Sequence, residues 1–267
     1  MRSLKELSDL SGRRALITGG TGHVGMAAAE TLAELGAVVA ILDIDPAACQ
    51  ACTNTLNEEW PNCAMPLPCD LLDEKSTRFA VQRVVKELGG IEIIVHCAAF
   101  VGTTQCKGWA VSFEQQSVEA WDNALRVNLT SPFVLVQEAQ NELEKTGKGS
   151  VILIASTYGL VGPDMRLYEG TRMANPAGYS ASKGGLLQLT RYMATVLAPL
   201  VRVNAISPGG IWRNQPVVFR ERYEDRTPLR RMGTEEDLKG AIAYLASDLS
   251  AYVTGHNLLV DGGWTAW

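Results

Sequence analysis

Along this chain, short apolar runs alternate with longer stretches of helical period, the pattern of a parallel sheet covered by helices on both faces. Seven runs rich in Val, Ile, Leu or Ala predict strands over 14–18, 38–43, 64–69, 91–96, 150–155, 201–206 and 257–261. Between them, helical patterns span 22–35, 46–60, 73–88, 117–145, 176–199 and 235–247, several opened by Asp, Ser or Pro and closed by Gly or Pro. Three connections are longer than such a fold needs: 100–116, 159–175 and an irregular stretch over 209–233. All three follow the carboxyl end of a predicted strand, where open α/β sheets bind ligands, so they are expected to border a substrate.

Composition narrows the class. At 267 residues, with 46% hydrophobic and 20% charged side chains, the chain has enough apolar surface for one α/β domain over 1–267 and shows no linker at which to cut it. A net charge of −5 with no basic tract argues against nucleic acid. The apolar runs are too short to span a bilayer and the first residues lack a signal-peptide pattern, so a cytoplasmic, membrane-free protein is expected. Its six cysteines are then reduced thiols. Cys49, Cys52, Cys63 and Cys69 invite a zinc reading, but the first pair falls in a helix and Cys69 ends a buried strand, so no metal is expected.

Where the first strand turns into the first helix stands TGGTGHVG, with Gly19, Gly22 and Gly25 spaced to cradle a phosphate against backbone N–H groups. Thr21, His23 and Val24 share that turn. Asp43 ends the second strand, where a carboxylate accepts hydrogen bonds from an adenosine ribose and repels an added phosphate, while Ile44 follows instead of a basic residue. NAD (NADH) is therefore expected in preference to NADP. Asp70 and Leu71, after the third strand, are placed for the adenine edge, although Asp70 serves equally well as a helix cap.

In YSASK, Tyr179 and Lys183 lie four residues apart and so share one helical face. Bringing a phenol from a pKa near 10 toward neutrality takes roughly 4 kcal/mol, which a close cation can largely supply. Tyr179 could then exchange a proton with an alcohol or carbonyl oxygen as a hydride moves.

With these residues in view, the chain resembles the short-chain dehydrogenase/reductase family over nearly its whole length. Tyr179 and Lys183 match the family's Tyr-x-x-x-Lys, Ser156 before Gly159 its catalytic serine, and Asn128 in RVNLTS the asparagine of its proton relay. Pro208 and Gly209 match its Pro-Gly turn, and Asp261 to Gly263 its Asp-Gly-Gly ending. The resemblance implies a Rossmann doubly wound seven-stranded parallel sheet with helices on both faces. It also implies a tetrad in which Ser156 bonds the reacting oxygen, Tyr179 is the acid/base, Lys183 lowers its pKa and holds the nicotinamide ribose, and Asn128 orders a relay water. Cys97, Ala98, Ala99, Pro208, Gly209 and Ile211 are placed beside the cofactor on the same basis, and a homo-oligomer, dimer or homotetramer, follows from the family's habit of pairing long helices. Trp264 and Trp267 suit a subunit contact.

Departures carry information too. His23 stands where single-domain members usually have a glycine, and the fourth strand ends His96, Cys97, Ala98, Ala99 rather than Asn-Asn-Ala-Gly. Ser156 stands further from Tyr179 than is usual, so the segment 159–175 is an insertion beside the substrate. Within the family, TYG, PDMRLYEGT, SPGGIWRNQP and VDGGWTAW are similar to oxidoreductases of legionaminic-acid-type sugar loci, which implies an amino-sugar or sugar-phosphate substrate in surface-glycan biosynthesis. Tyr158, Arg166, Arg172 and Arg213, with Ser156, are the expected substrate contacts. The arginines Arg213, Arg220, Arg222, Arg226, Arg230 and Arg231 outnumber nearby acids and suit an anionic ligand, unless they merely pair with Glu221, Glu224 and Asp225. A polyol or sugar-acid dehydrogenase and a non-catalytic NAD-binding regulator remain as rival readings.

Overall fold

Side chains of the apolar runs alternate between two faces of one sheet. In a computed structural model that describes residues 1–101 and 104–267, the strands are β1 (Arg14–Thr18), β2 (Val38–Asp43), β3 (Ala64–Pro68), β4 (Ile93–His96), β5 (Gly149–Ile154), β6 (Val201–Pro208) and β7 (Asn257–Val260). All pairings are parallel, in the order β3-β2-β1-β4-β5-β6-β7. The order reverses between β1 and β4, and that switch point is where a doubly wound sheet opens a crevice at its carboxyl edge. Residues 102 and 103, inside the expected loop 100–116, lie outside the described residues.

Helices cover both faces. Leu16, Ile94, Val151 and Val203 pack with Val84 of α4 (Glu74–Leu88), Leu135 of α6 (Ser131–Glu144) and Leu186 of α7 (Ala177–Val196). Ile17, Val39, Ile93, Val95 and Ile152 pack with Leu32 of α2 (His23–Glu34) and Ile242 of α9 (Glu236–Ala246). Successive residues thus serve opposite faces, and each fully buried Leu or Ile contributes about 1.5–3 kcal/mol. Helix ends follow local chemistry: Asp45 caps α3 (Pro46–Glu59) with Pro46 in its first turn, Asp73 caps α4, and Gly89 closes α4 at φ 83°. A short helix, α1 (Leu4–Ser8), precedes the first strand and was not expected.

The expected long helix over 117–145 is instead α5 (Val118–Leu125), a π-turn (Arg126–Thr130) and α6. Pro132 is the local reason, because it has no N–H to give the carbonyl of Asn128, four residues earlier. The stretch 209–233 is also not irregular throughout, since it contains α8 (Val217–Arg226) and a bridge between Ile211 and Gly233. Only Phe219 and Tyr223 of α8 are buried, one turn apart, so its apolar period is too sparse to read from sequence.

Those two side chains join Leu167, Met232 and Trp264 in a small second core, against which Tyr158, Tyr168, Met173 and Trp212 pack. Trp264 is 1% exposed, stacked on Tyr223 and covered by the Arg226 guanidinium at 4.6 Å. It is therefore an internal residue of its own chain and not the subunit contact expected of it, whereas Trp267 is 70% exposed. This core fastens the inserted segment, α8 and the C-terminal residues together above the carboxyl edge of the sheet.

Candidate active site

At the first turn, Gly19 adopts φ +63°, and a β-carbon there would lie 2.6 Å from the backbone nitrogen of Ala98. One on Gly25 would lie 2.1 Å from the carbonyl oxygen of Gly19. The turn is thus closed on itself and on the end of β4, where the Ala98 N–H donates to Thr18 Oγ1 and the Cys97 N–H to the Thr18 carbonyl. Gly22 caps α2 without any side-chain bond, so the first-turn N–H groups, at His23, Val24 and Gly25, keep their capacity for an anion. Asp43 stands beside this turn: its Oδ2 accepts from Thr21 Oγ1 at 2.6 Å and Thr21 N at 3.2 Å, and its Oδ1 from Ile44 N at 2.8 Å. These residues fit the pyrophosphate and adenosine ribose of a dinucleotide. Asp70 accepts from Leu72 N and does not cap α4, a place Asp73 takes, while Leu71 is buried.

Tyr179 and Lys183 share one face of α7, and Ser156 follows β5 opposite them. The Lys183 ammonium is buried, donates to the Ile154 carbonyl at 2.6 Å and stands 5.8 Å from the centre of the Tyr179 ring. Burial lowers its pKa to about 8, partly offset by Cys97. Burial also pushes the Tyr179 phenol above its usual range, while a hydrogen bond with Ser156 and the charge of Arg213 pull it back. The sequence suggested that the Lys183 charge could largely supply the acidity of this phenol; here desolvation outweighs the favourable contacts, and the cation's own proton is loosened by the same buried surroundings. Gly159 completes the Ser156 turn, since a β-carbon would meet the Lys183 backbone at 2.8 Å.

Asn128 sits in the π-turn, fully buried, with its side chain consumed: Oδ1 accepts from Phe100 N at 2.7 Å, and Nδ2 donates to Ser182 Oγ at 2.9 Å and the Phe100 carbonyl at 3.3 Å. It ties the loop after β4 to α7. Beneath it lies His96, also fully buried, its Nδ1 2.8 Å from Thr18 Oγ1 and its Nε2 without a hydrogen bond among the described residues, although the Val127 carbonyl faces it. Thr18 Oγ1, which accepts from Ala98 N, has a proton that it can donate to Nδ1, and in that tautomer the Nε2–H is directed at the Val127 carbonyl of the π-turn. Sequence reading noted His96 only as a departure from the family motif and missed this coupling.

Burial first, and the Lys183 charge second, lower the pKa of His96 from 6.5 to about 3. Between those values an unfolded chain takes up a proton that the folded chain refuses, so stability from neutral His96 is whole above pH 6.5 and drains as pH falls. The expected slope is at most about 1.4 kcal/mol per pH unit. Urea midpoints measured from near-neutral to mildly acidic pH should show this slope reduced in His96→Asn. An undiminished slope would place the acid sensitivity elsewhere.

The arginines of 209–233 are largely engaged. Arg226 pairs with Asp164 at 2.8 Å, Arg230 with Asp225 and Arg231 with Asp237 at 2.6 Å each, and Arg220 approaches Glu224 at 3.8 Å. Arg222 donates to the carbonyls of Arg166 and Glu169. Of the expected substrate contacts, Arg166 is held by Asp164 and is 77% exposed, and Arg172 is exposed without an ion pair among the described residues. Arg213 pairs with Glu235 at 3.2 Å, and it is the arginine whose charge reaches Tyr179. Sequence reading also missed Trp109, buried and bonded through Nε1 to the Val101 carbonyl, which packs with Phe100 and Tyr179. Tyr168, whose hydroxyl meets that of Tyr158 at 3.1 Å, was missed as well.

A glycine turn at the switch point, a carboxylate beside it and a Ser-Tyr-Lys cluster on β5's end and α7 fit an oxidoreductase built around a nicotinamide dinucleotide. Comparison with known proteins agrees. A family profile described as enoyl-(acyl carrier protein) reductase matches residues 21–265. A 3-oxoacyl-[acyl-carrier-protein] reductase of Aquifex aeolicus is 31% identical over 95% of this chain and 98% of that protein. Among solved structures, a gluconate 5-dehydrogenase of Burkholderia cenocepacia in complex with NADP and tartrate superposes with a TM-score of 0.88 at 27% identity, covering 99% of this chain and 100% of that one. A short-chain dehydrogenase of Leptospira borgpetersenii with bound NAD+ gives 0.84 at 31% identity, covering 99% and 96%. The chain belongs to the short-chain dehydrogenase/reductase family, and is an oxidoreductase acting on CH–OH groups.

Proposed function

We propose that the chain, acting as one domain, is an NAD-dependent dehydrogenase of a polyhydroxylated, sugar-derived alcohol. The observation that carries this reading is the convergence of Ser156, Tyr179 and Lys183 beside a glycine turn that leaves room only for backbone. Gly19, Thr21, Gly22, His23, Val24 and Gly25 would hold the pyrophosphate, Asp43 and Ile44 the adenosine ribose, and Asp70 and Leu71 the adenine. Cys97, Ala98, Ala99, Pro208, Gly209 and Ile211 would border the nicotinamide. A bound nicotinamide supplies the two-electron acceptor that no side chain provides.

The chain's own residues handle the proton. Ser156 holds the substrate oxygen and Tyr179 takes its proton during oxidation or returns it during reduction. Lys183, fixed by the Ile154 carbonyl, steadies the phenolate and the nicotinamide ribose. Since the Asn128 side chain is spent on Phe100 and Ser182, any relay water at this point would be held by the main-chain carbonyl that Pro132 cannot serve.

NAD is favoured over NADP because the Asp43 carboxylate stands where a 2′-phosphate would bring like charge, although relatives with each cofactor exist. An amino-sugar or sugar phosphate of legionaminic-acid type is the narrower form of the proposal, with Arg213 the best-placed anion contact. A polyol or sugar acid is the second reading, favoured by the likeness to a gluconate 5-dehydrogenase. Exposed Trp121, Phe133, Tyr192 and Val196 on α5, α6 and α7 suit assembly into a dimer or tetramer, and six unpaired thiols suit the cytoplasm. No helix among the described residues is long and apolar enough to cross a membrane.

The test is the nicotinamide absorbance of NAD+ with a panel of polyols, sugar acids, amino sugars and sugar phosphates. Reduction of NAD+ by at least one of them is expected. A protein that binds NADH tightly yet changes its absorbance with none is a regulator, and the proposal fails.

A further inference from the structure

We propose that Tyr158 and Tyr168 form a hydroxyl-reading pair that selects substrates carrying a second hydroxyl on the carbon next to the one oxidised. This deepens the dehydrogenase reading and rests on it.

The pair is assembled from two parts of the chain. Tyr158 stands two residues beyond Ser156, whose Oγ accepts from the Tyr158 N–H at 3.2 Å, so its position is tied to the serine that meets the reacting oxygen. Tyr168 ends a 3-10 turn (Met165–Tyr168) of the inserted segment, capped by Asp164, which Arg226 of α8 anchors at 2.8 Å. Both rings are clamped. Trp264 meets Tyr158 edge-on at 5.9 Å and Phe219 lies against Tyr168 at 5.4 Å. Both phenols also lie within electrostatic reach of Tyr179.

Proton counting gives the pair its chemistry. The two hydroxyls carry two protons, and their mutual bond at 3.1 Å uses one. Among the described residues neither hydroxyl has another hydrogen-bond partner, so one proton remains to be donated. Burial pushes both phenols up, Tyr168 to about 12 and Tyr158 higher still, so the donor stays neutral at any working pH. A neutral donor held by aromatic walls suits a hydroxyl oxygen. Its place, two residues beyond Ser156 and within electrostatic reach of Tyr179, puts the donor on the side of an oxygen that neighbours the reacting one. An alcohol without the neighbouring oxygen would leave that proton without a substrate acceptor beside the aromatic walls, and such a mismatch is what lets a site reject an analogue.

The experiment uses the full chain, the best substrate of the panel, and its deoxy analogue lacking the neighbouring hydroxyl. Tyr158→Phe should lower kcat/KM for the substrate about tenfold or more while changing the analogue by no more than about twofold, with NADH affinity unaltered. Tyr168→Phe should give a smaller loss, and the double variant should be no worse than Tyr158→Phe, because the two hydroxyls act as a unit. Equal losses for both compounds would mean the tyrosines only pack the lid, and an unchanged preference for the vicinal diol would mean they do not read it; either result overturns the inference while leaving the dehydrogenase intact. A panel without any substrate overturns the dehydrogenase reading and this inference with it.

Discussion

Replacing Tyr179 with Phe is expected to lower turnover by about two to four orders of magnitude while NADH still binds, the usual cost of losing a positioned acid/base. The substitution removes one oxygen from a buried site and leaves the ring, which packs with Trp109 and Phe100, in place. Ser156 would still hold a substrate oxygen but nothing would take its proton, because Lys183 is committed to the Ile154 carbonyl. Steady-state kinetics together with NADH titration separate the outcomes. Near-normal turnover would remove Tyr179 from the chemistry, whereas loss of NADH binding would mean the substitution had damaged the fold.

The second large effect concerns cofactor choice. Asp43→Ala combined with Ile44→Arg is expected to narrow or reverse a preference for NAD(H) over NADP(H). Hydrogen bonds to a charged group are worth about 1.5–3 kcal/mol, so removing the carboxylate weakens NAD(H) by roughly ten- to a hundredfold. The same change relieves repulsion of a 2′-phosphate, and an arginine at the 65%-exposed position of Ile44 can grip it. Losing Asp43 also frees the hydroxyl and N–H of Thr21, which lies at the edge of the turn. Affinities from fluorescence titration decide the matter. Equal affinity of the unaltered protein for both dinucleotides would contradict the reading of Asp43.

Much of this was legible in the residues because it depends on local rules. Strand runs such as 38–43 and 201–206 announced themselves by β-branched density, and the glycine turn by a spacing that only close backbone contact requires. The shared face of Tyr179 and Lys183 followed from helical geometry, and their roles from the resemblance to the family's Tyr-x-x-x-Lys. What escaped was decided by partners distant in sequence. α8 buries only two side chains, and these need Trp264 and Tyr168 to complete their core. The arginine cluster read as a possible anion site because its partners Asp164, Glu235 and Asp237 lie outside the charge count that suggested it. The expected effect of Lys183 on Tyr179 took account of charge and not of burial, which the sequence does not state and which dominates both groups.

The most direct measurement of the central claim is the pH dependence of kcat/KM for oxidation of the best substrate, with the unaltered protein and Tyr179→Phe side by side. Oxidation needs the phenolate, and burial holds the Tyr179 proton more tightly than a free phenol would. The rate is therefore expected to climb through the alkaline range in the unaltered protein, with the reverse reduction declining over the same range, and to show no such climb in the variant. A flat profile in the unaltered protein, or the same climb in Tyr179→Phe, would contradict the assignment of the proton to Tyr179.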